Sequence, residues 1–307
     1  MSGEGGRSGS VTEQPPRTLA LIVNPAAGGG RAGRLLGSVR KALGQSGHRY
    51  RVELTQSIEH ARELAAAAAA AGEVAVAFGG DGLIGAVAGA LRDSDGVLGI
   101  LPGGRGNDLA RVLRIPFDPV AACAVLTSGT VRALDLGEAE GRTFVGIASC
   151  GFDSVANRIA NETRVVRGNL VYAYSAVRAL IGWRPARFDL TLDDGQTHVL
   201  IGYSVAAANS KAYGGGMYAA PGAELDDGLL DIVTLADLPK RRFLTSLLPK
   251  VFDGTHVNLP EVTVLRAPQV TIAADRPFTM YADGDPIAEL PVTVRALPAA
   301  VRTIVPQ

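Results

Sequence analysis

Glycines are concentrated in three short segments of this chain, and two of these segments also contain an aspartate. The segments are NPAAGGGRAGR at 24–34, GGDG at 79–82 and LPGGRGNDLAR at 101–111. Glycine lets the backbone approach a phosphate closely and direct its N–H groups inward, and a helix that begins just behind adds the positive end of its dipole. Asp81 and Asp108 lie inside these segments. A carboxylate beside phosphate-binding backbone is typical of a Mg²⁺ site, although either acid could instead cap a helix.

The first segment also matches part of the fingerprint of dinucleotide-binding folds. Gly28, Gly30 and Gly33 have the GxGxxG spacing, and Glu53 follows about 20 residues further on. However, residues 24–27 separate the apolar run from the first glycine, where the fingerprint requires an immediate turn. The fingerprint also leaves the other two glycine-rich segments unexplained. A dehydrogenase is therefore the weaker interpretation.

Each glycine-rich segment follows a predicted β-strand. The apolar runs TLALIVN, EVAVAFGG and GVLGILPGG precede them, and helical patterns at about 33–43, 57–71 and 83–91 alternate with the strands. This alternation predicts a doubly wound parallel α/β sheet, which binds ligands at the carboxyl ends of its strands. The three segments are therefore expected at the edge of the sheet where such folds place their sites.

The rhythm changes from about residue 131. Strand candidates such as RFDLTL, THVLIGYSVAAAN and EVTVLRA now follow one another, and DDG at 193–195 is a hairpin signal. These runs predict a mostly antiparallel β domain. The first 17 residues are rich in Gly and Ser and lack the apolar core of a signal peptide, so they are predicted to form a disordered tail.

Composition narrows the classes of partner. The chain has 30 Lys and Arg against 30 Asp and Glu, so it has no bulk attraction to nucleic acid, and any attraction to a membrane must come from a local patch. Cys123 and Cys150 lie in apolar stretches and are predicted to be small buried side chains, which fits a reducing cytoplasm. No apolar run reaches the length of about 18 residues that spans a bilayer.

Five pieces of the sequence resemble the bacterial diacylglycerol kinase family, which also includes sphingosine and ceramide kinases and is distantly similar to NAD kinases. They are NPAAGGG, FGGDGLIGAVAGAL, GILPGGRGNDLAR, YGGGMYAAPGAELDDGLLDIV and YADGDPI, in family order. The resemblance implies a nucleotide-binding domain at 18–131 and a β-rich, lipid-binding domain at 132–295. It also implies that residues 296–307 return to the first domain.

The resemblance implies ATP and Mg²⁺ as cofactors. Asp285 in YADGDPI would be the proton acceptor, with Asp81 as the competing candidate and with Asp81 and Asp108 organising Mg²⁺ and water. The side chain of Asp227 and the carbonyls of Glu224 and Leu229 would hold a metal, although an acidic turn explains the same residues. The implied nucleotide contacts are Asn24, Gly28, Gly29, Gly30, Thr55, Gly79, Gly80, Asp81, Gly82, Leu83, Arg105 and Asn107.

The sequence departs from the family pattern at three places. Leu83 stands where the family has a threonine, and Arg105 stands where it has another. Arg105 could compensate by gripping phosphate with two hydrogen bonds. Asp285 replaces the usual glutamate and has a shorter reach. Gly80 is expected to require glycine because a Cβ would intrude on ATP and because a positive φ is costly for other residues.

These features predict an ATP-dependent kinase of a lipid hydroxyl, either diacylglycerol or a related lipid alcohol. The alternatives are a kinase of a soluble substrate such as NAD, and a catalytically weak lipid- or nucleotide-binding regulatory protein. The expected location is the cytoplasm, with peripheral contact at the inner membrane face.

Two stretches mix basic and apolar residues. They are 240–252, and the set Leu180, Trp183, Arg184 and Arg187. Each could lie on a bilayer or pack on the sheet. The identity of the lipid and a homodimer are left open.

Overall fold

The computed structural model describes residues 17–163 and 170–307. The predicted tail at 1–17 therefore lies outside the described residues, apart from Arg17. The guanidinium of Arg17 donates to the carbonyls of Leu126 and Gly129, at 2.7 and 2.8 Å. Among the described residues, no helix is both long and apolar enough to cross a membrane.

A parallel sheet of four strands forms the N-terminal part, in the order β2-β1-β3-β4. Its strands are β1 (Thr18–Val23), β2 (Arg49–Leu54), β3 (Val74–Gly79) and β4 (Val97–Pro102). Strand β3 is buried along its whole length because helices cover both faces of the sheet. This burial explains why these strands are continuous apolar runs in the sequence.

Helices alternate with these strands. They are α1 (Ala27–Gln45), α2 (Ile58–Ala70), α3 (Asp81–Leu91), α4 (Asp108–Val112) and α5 (Pro119–Ser128). Helix α2 begins where the Ser57 hydroxyl accepts the N–H of His60, and it buries one alanine face at Ala61, Ala65 and Ala68. Helix α1 is interrupted near its start, because Gly28, Gly29 and Gly30 have left-handed backbone, so its regular part begins after Gly30, close to the predicted start at 33.

Antiparallel pairing dominates the C-terminal part. Its strands are β5 (Thr130–Ala139), β6 (Arg142–Phe144), β7 (Ile147–Gly151), β8 (Ala186–Leu192), β9 (Thr197–Ala208), β10 (Leu230–Ala236), β11 (Val262–Ala267), β12 (Gln269–Ala274), β13 (Thr279–Ala282), β14 (Asp285–Glu289) and β15 (Val292–Val305). The predicted hairpin at 193–195 joins β8 to β9. The predicted fold class, a parallel α/β domain followed by a mostly antiparallel β domain, is confirmed.

Strand β15 joins the two parts of the chain. It pairs antiparallel with β12 at residues 292–295 and parallel with β4 at Arg302 and Thr303. Along most of its length it also pairs with β5. The strands described here therefore belong to one continuous hydrogen-bonded sheet.

Helical elements cover the apolar face of the C-terminal strands. They are α6 (Phe152–Glu162), α7 (Leu170–Gly182), α8 (Lys240–Arg242), a π-helical turn (Phe243–Leu247), α9 (Leu248–Val251) and a 3-10 turn (Thr255–Asn258). Trp183, Tyr203 and Phe243 pack around Phe152, with ring centroids 4.8–5.7 Å from it. Leu180 and Trp183 are buried, so they face this core rather than a bilayer. Cys123 and Cys150 are buried and free, as predicted.

Candidate active site

The three glycine-rich segments meet at the carboxyl ends of β1, β3 and β4. The N–H of Gly103 donates to the carbonyl of Gly79 at 2.7 Å. A Cβ on Gly28 would lie 2.4 Å from the carbonyl oxygen of Gly103, and a Cβ on Gly104 would lie 2.4 Å from the Cα of Gly80. The backbones therefore approach each other so closely that only glycine fits at these contacts.

The first segment bends through left-handed backbone. Gly28, Gly29 and Gly30 have φ values of 60°, 68° and 85°, which other residues rarely adopt. Gly80 differs, because its φ is −95°. The expectation that a positive φ imposes glycine at Gly80 is wrong, and the constraint there is the close approach of Gly104, whose Cα would lie 3.3 Å from an added Cβ.

Asp81 shapes the third segment. Its Oδ2 accepts the N–H of Asn107 at 2.8 Å, and its Oδ1 accepts the N–H of Asp108 at 2.7 Å. Asn107 is buried with φ 52°, and its side-chain amide exchanges two hydrogen bonds with the backbone of Gly104. Asp81 and Asn107 thus hold the segment that follows β4 in place, and the amide of Asn107 is committed to that segment.

Asp108 connects the two parts of the chain and keeps one oxygen without a partner. Its Oδ2 accepts the N–H of Gly215 at 2.9 Å, from the loop between β9 and β10. Its Oδ1 is buried without a hydrogen bond, and Arg111 is 3.9 Å away. Burial raises the pKa of Asp108, and the neighbouring charge of Asp81 raises it further. An orphaned carboxylate oxygen beside a second carboxylate fits a divalent cation that arrives with phosphate.

A cavity of about 180 Å³ lies where these segments face the C-terminal strands. Asp81, Arg105 and Asp108 line one side. The opposite side includes Tyr213 and Asp283. Burial raises the pKa of Tyr213 well above its usual range. Acidic, basic and hydroxyl groups therefore converge on one cavity, which is an arrangement suited to binding a charged ligand.

Asp283, rather than Asp285, lines this cavity. The Asp283 carboxylate accepts the N–H groups of Val145, Gly146 and Ile147 at 2.8, 3.0 and 3.2 Å. Burial raises the pKa of Asp283 to about 6 despite these three donors. Asp285 begins β14 with an exposed side chain and is outside the cavity lining. Sequence reasoning passed over Asp283, although it lies in the same YADGDPI piece.

The other predicted nucleotide contacts lie around the glycine segments. The Asn24 side chain accepts the N–H of Ala26, and the N–H of Thr55 donates to the carbonyl of Val23 as β2 ends. Gly79 and Gly82 flank Asp81 at the junction of β3 and α3. Leu83 is buried against Gly79, so its side chain belongs to the core. The structure therefore gathers the predicted residues at one edge of the sheet but turns Leu83 inward.

In the predicted metal loop at 224–229, the side chain of Arg266 contacts Asp227. Arg266 donates from Nη2 to Oδ2 of Asp227 and from Nε to Oδ1 of Asp231, the latter at 2.9 Å. The remaining oxygen of Asp227 accepts the N–H of Leu229, and Glu224 is exposed. In the parts of the chain that the structure covers, no three acidic, His or Cys side chains are grouped to hold a metal. The guanidinium of Arg266 therefore competes with a metal for Asp227, and the metal role of Asp227, Glu224 and Leu229 stays a prediction.

A second cavity, of about 360 Å³, adjoins the first and is mostly apolar. Its walls include Phe152, Ala206 and Val233. The two cavities share a wall made of Asn157, Tyr213, Gly214, Gly215 and Met217. Asp153 is an acid in the apolar lining, and burial raises the pKa of Asp153 to about 6. The arrangement provides an apolar compartment beside a charged one.

A glycine-lined edge of a parallel sheet, completed by an antiparallel β domain, defines a class of two-domain kinases. Residues 18–139 match the family profile described as "Diacylglycerol kinase catalytic domain". Residues 146–305 match the profile "YegS C-terminal NAD kinase beta sandwich-like domain". These matches cover both parts of the chain.

Relatives agree with this assignment. The chain is 36% identical over 300 residues to "Diacylglycerol kinase" of Mycobacterium tuberculosis (strain ATCC 25618 / H37Rv), covering 94% of this chain and 95% of that one. It is 32% identical over 261 residues to "Probable lipid kinase YegS-like" of Pseudomonas fluorescens, covering 83% and 85%. A crystal structure of a diacylglycerol kinase from Bacillus anthracis has the same fold, with TM-score 0.72 and 20% identity over 94% of this chain and 96% of that one. The chain belongs to the diacylglycerol kinase family of lipid kinases.

Proposed function

We propose that the protein transfers the γ-phosphoryl group of ATP to the hydroxyl of a lipid, either diacylglycerol or a related lipid alcohol. The observation that carries the proposal is the shared wall between the charged cavity and the apolar cavity. Phosphoryl transfer depends on positioning and charge neutralisation, and a lipid acceptor also needs a place for its acyl chains. The two adjoining cavities meet both needs.

The glycine segments would hold the triphosphate. Gly28, Gly29 and Gly30 form a left-handed turn in which the N–H of Gly30 donates to the carbonyl of Ala26, and α3 begins directly behind Gly80 with the positive end of its dipole. Arg105 lines the charged cavity and can neutralise phosphate oxygens. These features support ATP over a ligand without phosphates.

Asp108 and Asp81 would hold Mg²⁺ that enters with ATP. Asp108 has a buried oxygen without a partner, and Asp81 lies beside it. A bound Mg²⁺ would neutralise charge on the transferring phosphoryl group. The separate loop at 224–229 is not part of this proposal, because Arg266 neutralises Asp227 there.

The proton acceptor remains a choice between acids. Asp285 is proposed from the family resemblance, and it lies two residues from the cavity-lining Asp283. The competing Asp81 already accepts two backbone N–H groups, which favours a positioning role. Asp285→Asn should reduce kcat at least about a hundredfold with little change in ATP affinity. Near-normal turnover in that variant, with a collapse in Asp81→Asn, would transfer the role to Asp81.

Labelled ATP and a panel of acceptors test the function itself. The panel holds diacylglycerol, monoacylglycerol, a sphingoid base, a polyol and NAD, each with Mg²⁺. Transfer to lipid acceptors supports the proposal, and product analysis then names the preferred lipid. Transfer to NAD or the polyol alone would establish the soluble-substrate alternative. ATP binding without transfer to any acceptor would establish the regulatory alternative.

A further inference from the structure

Helix α7 carries apolar side chains on its outward face. Tyr174, Val177 and Ile181 are spaced three and four residues apart, so they lie on one face, and Ile181 is 76% exposed. The opposite face buries Ala179 and Leu180 in the core. A helix that faces only water would place polar residues where Val177 and Ile181 stand.

A second helical element continues this apolar face. Residues 240–251 bury Phe243 and Leu247, while Leu244 and the following Phe252 are exposed. The ammonium of Lys240 donates to the carbonyl of Ile181 at 2.8 Å, which ties the two elements together. The exposed apolar side chains therefore lie on neighbouring elements rather than as scattered single residues.

The same two stretches are basic. Residues 170–187 and 238–252 contain no Asp or Glu, although the chain as a whole has equal numbers of basic and acidic residues. Their basic residues are Arg178, Arg184, Arg187, Lys240, Arg241, Arg242 and Lys250. Arg187 is paired with Asp189 and Arg242 with Glu261. The remaining positive charge complements an anionic surface.

Both elements also wall the apolar cavity. Ser175 and Ala176 line it from the inner side of α7, and Phe243 and Leu247 line it from the second element. Phe252 belongs to the cavity lining and is also exposed. The outward apolar faces are thus continuous with the proposed lipid compartment.

We propose that Tyr174, Val177, Ile181 and Leu244, together with Lys240 and Arg241, form a docking face for an anionic bilayer. The apolar side chains enter the interface, and the basic side chains contact lipid headgroups. Docking brings the apolar cavity to the surface from which a lipid substrate must be taken. The exposure and charge of these residues support the contact with the bilayer by themselves, whereas the purpose of that contact depends on the proposed lipid kinase activity.

Vesicle co-sedimentation of the full chain tests the face. The vesicles contain phosphatidylglycerol and phosphatidylcholine in equal parts. A Val177→Asp/Ile181→Asp variant should bind at least about tenfold more weakly, because two apolar side chains lose their burial in the interface. Val131→Asp is the matched control: Val131 is 41% exposed on β5, close to the 46% of Val177. Equal binding by both variants, with circular dichroism unchanged, would overturn the proposal.

Charge reversal and turnover complete the test. Lys240→Glu/Arg241→Glu should weaken binding to anionic vesicles by at least about tenfold and leave binding to pure phosphatidylcholine unchanged. The Val177/Ile181 variant should phosphorylate a short-chain diacylglycerol in solution normally but lose turnover on vesicles. Equal loss on both substrates would overturn the docking role. Vesicle binding that depends on this face, in a protein that phosphorylates no lipid, would uphold docking and refute the proposed function.

Discussion

Replacing Arg266 with glutamine tests whether an arginine closes the loop at 224–229. Arg266 bridges Asp227 and the buried Asp231. Removing one partner of a fully buried ion pair costs about 3–5 kcal/mol. The Arg266 side chain is 47% exposed. Since solvent screens part of the loss, we expect the free energy of unfolding to fall by about 1–3 kcal/mol.

The expected change in Tm follows from that free energy. A cooperative unit of roughly 150–250 residues loses about 2–4 °C for each kcal/mol, so about 2 kcal/mol corresponds to about 4–8 °C. Arg132→Gln provides the matched control, because Arg132 contacts Asp226 of the same loop at 2.5 Å and is also 47% exposed. Asp226 is itself exposed, so this ion pair should contribute only about 0–1 kcal/mol.

Thermal unfolding without nucleotide, in EDTA and in millimolar Mg²⁺, is the assay. The wild-type Tm should be the same in EDTA and in Mg²⁺, because Arg266 already neutralises the charge of Asp227. In Arg266→Gln the uncovered Asp227 and Asp231 should let Mg²⁺ recover part of the lost Tm. The reasoning is refuted if EDTA lowers the wild-type Tm and Arg266→Gln is no less stable than Arg132→Gln.

The glycine contact and one buried acid yield two further tests. Gly80→Val should lower the affinity for ATP, measured by calorimetry, at least about tenfold, since an added Cβ meets the backbone of Gly104. Gly37→Ala is the control and should bind ATP normally, because an added Cβ there meets nothing. Equal ATP affinities in the two variants would contradict the prediction. Burial raises the pKa of Asp153 to about 6, so the stabilisation it gives is complete below about pH 4 and is lost as pH rises through about 6. The free energy of unfolding of the wild type minus that of Asp153→Asn, measured by denaturant unfolding, should fall by about 2–3 kcal/mol between about pH 4 and pH 7. A difference that stays constant with pH would contradict the raised pKa of Asp153.

Local patterns predicted the sheet and its glycine segments. A buried parallel strand is a short apolar run, and a glycine segment directly after it fixes which edge of the sheet it occupies. Alternating strands and helices in the first part, and successive strands in the second, were therefore enough for the fold class. Helix starts were less accurate: α3 begins two residues earlier than predicted because Asp81 and Gly82 form its first turn, and α1 is interrupted by left-handed glycines that the pattern did not predict.

Roles set by distant contacts could not be read from the chain. Arg266 reaches Asp227 across 39 residues, so no local spacing signals that pair. Asp283 lines the cavity from a left-handed turn with φ 51°, whereas Asp285 is exposed at the start of β14, and nothing in the local pattern distinguishes the positions of these two acids. Leu83 was read as a nucleotide contact from its place in GGDGL, but burial of its side chain decides its role.

In the proposed function, the wall shared by the two cavities would couple phosphate binding to the placement of the lipid. Gly215 belongs to that wall, and its N–H donates to Oδ2 of Asp108. A cation bound to the unpartnered Oδ1 of Asp108 would therefore act on a carboxylate whose other oxygen is hydrogen-bonded to this wall at Gly215. A lipid whose chains fill the apolar cavity would present its hydroxyl near this wall, next to Tyr213 and the acids of the charged cavity. Because Asp108 holds Gly215 in the wall of both cavities, loss of the Asp108 carboxylate should weaken the binding of lipid as well as the binding of ATP. A role of Asp108 in phosphate binding alone would leave lipid binding unchanged.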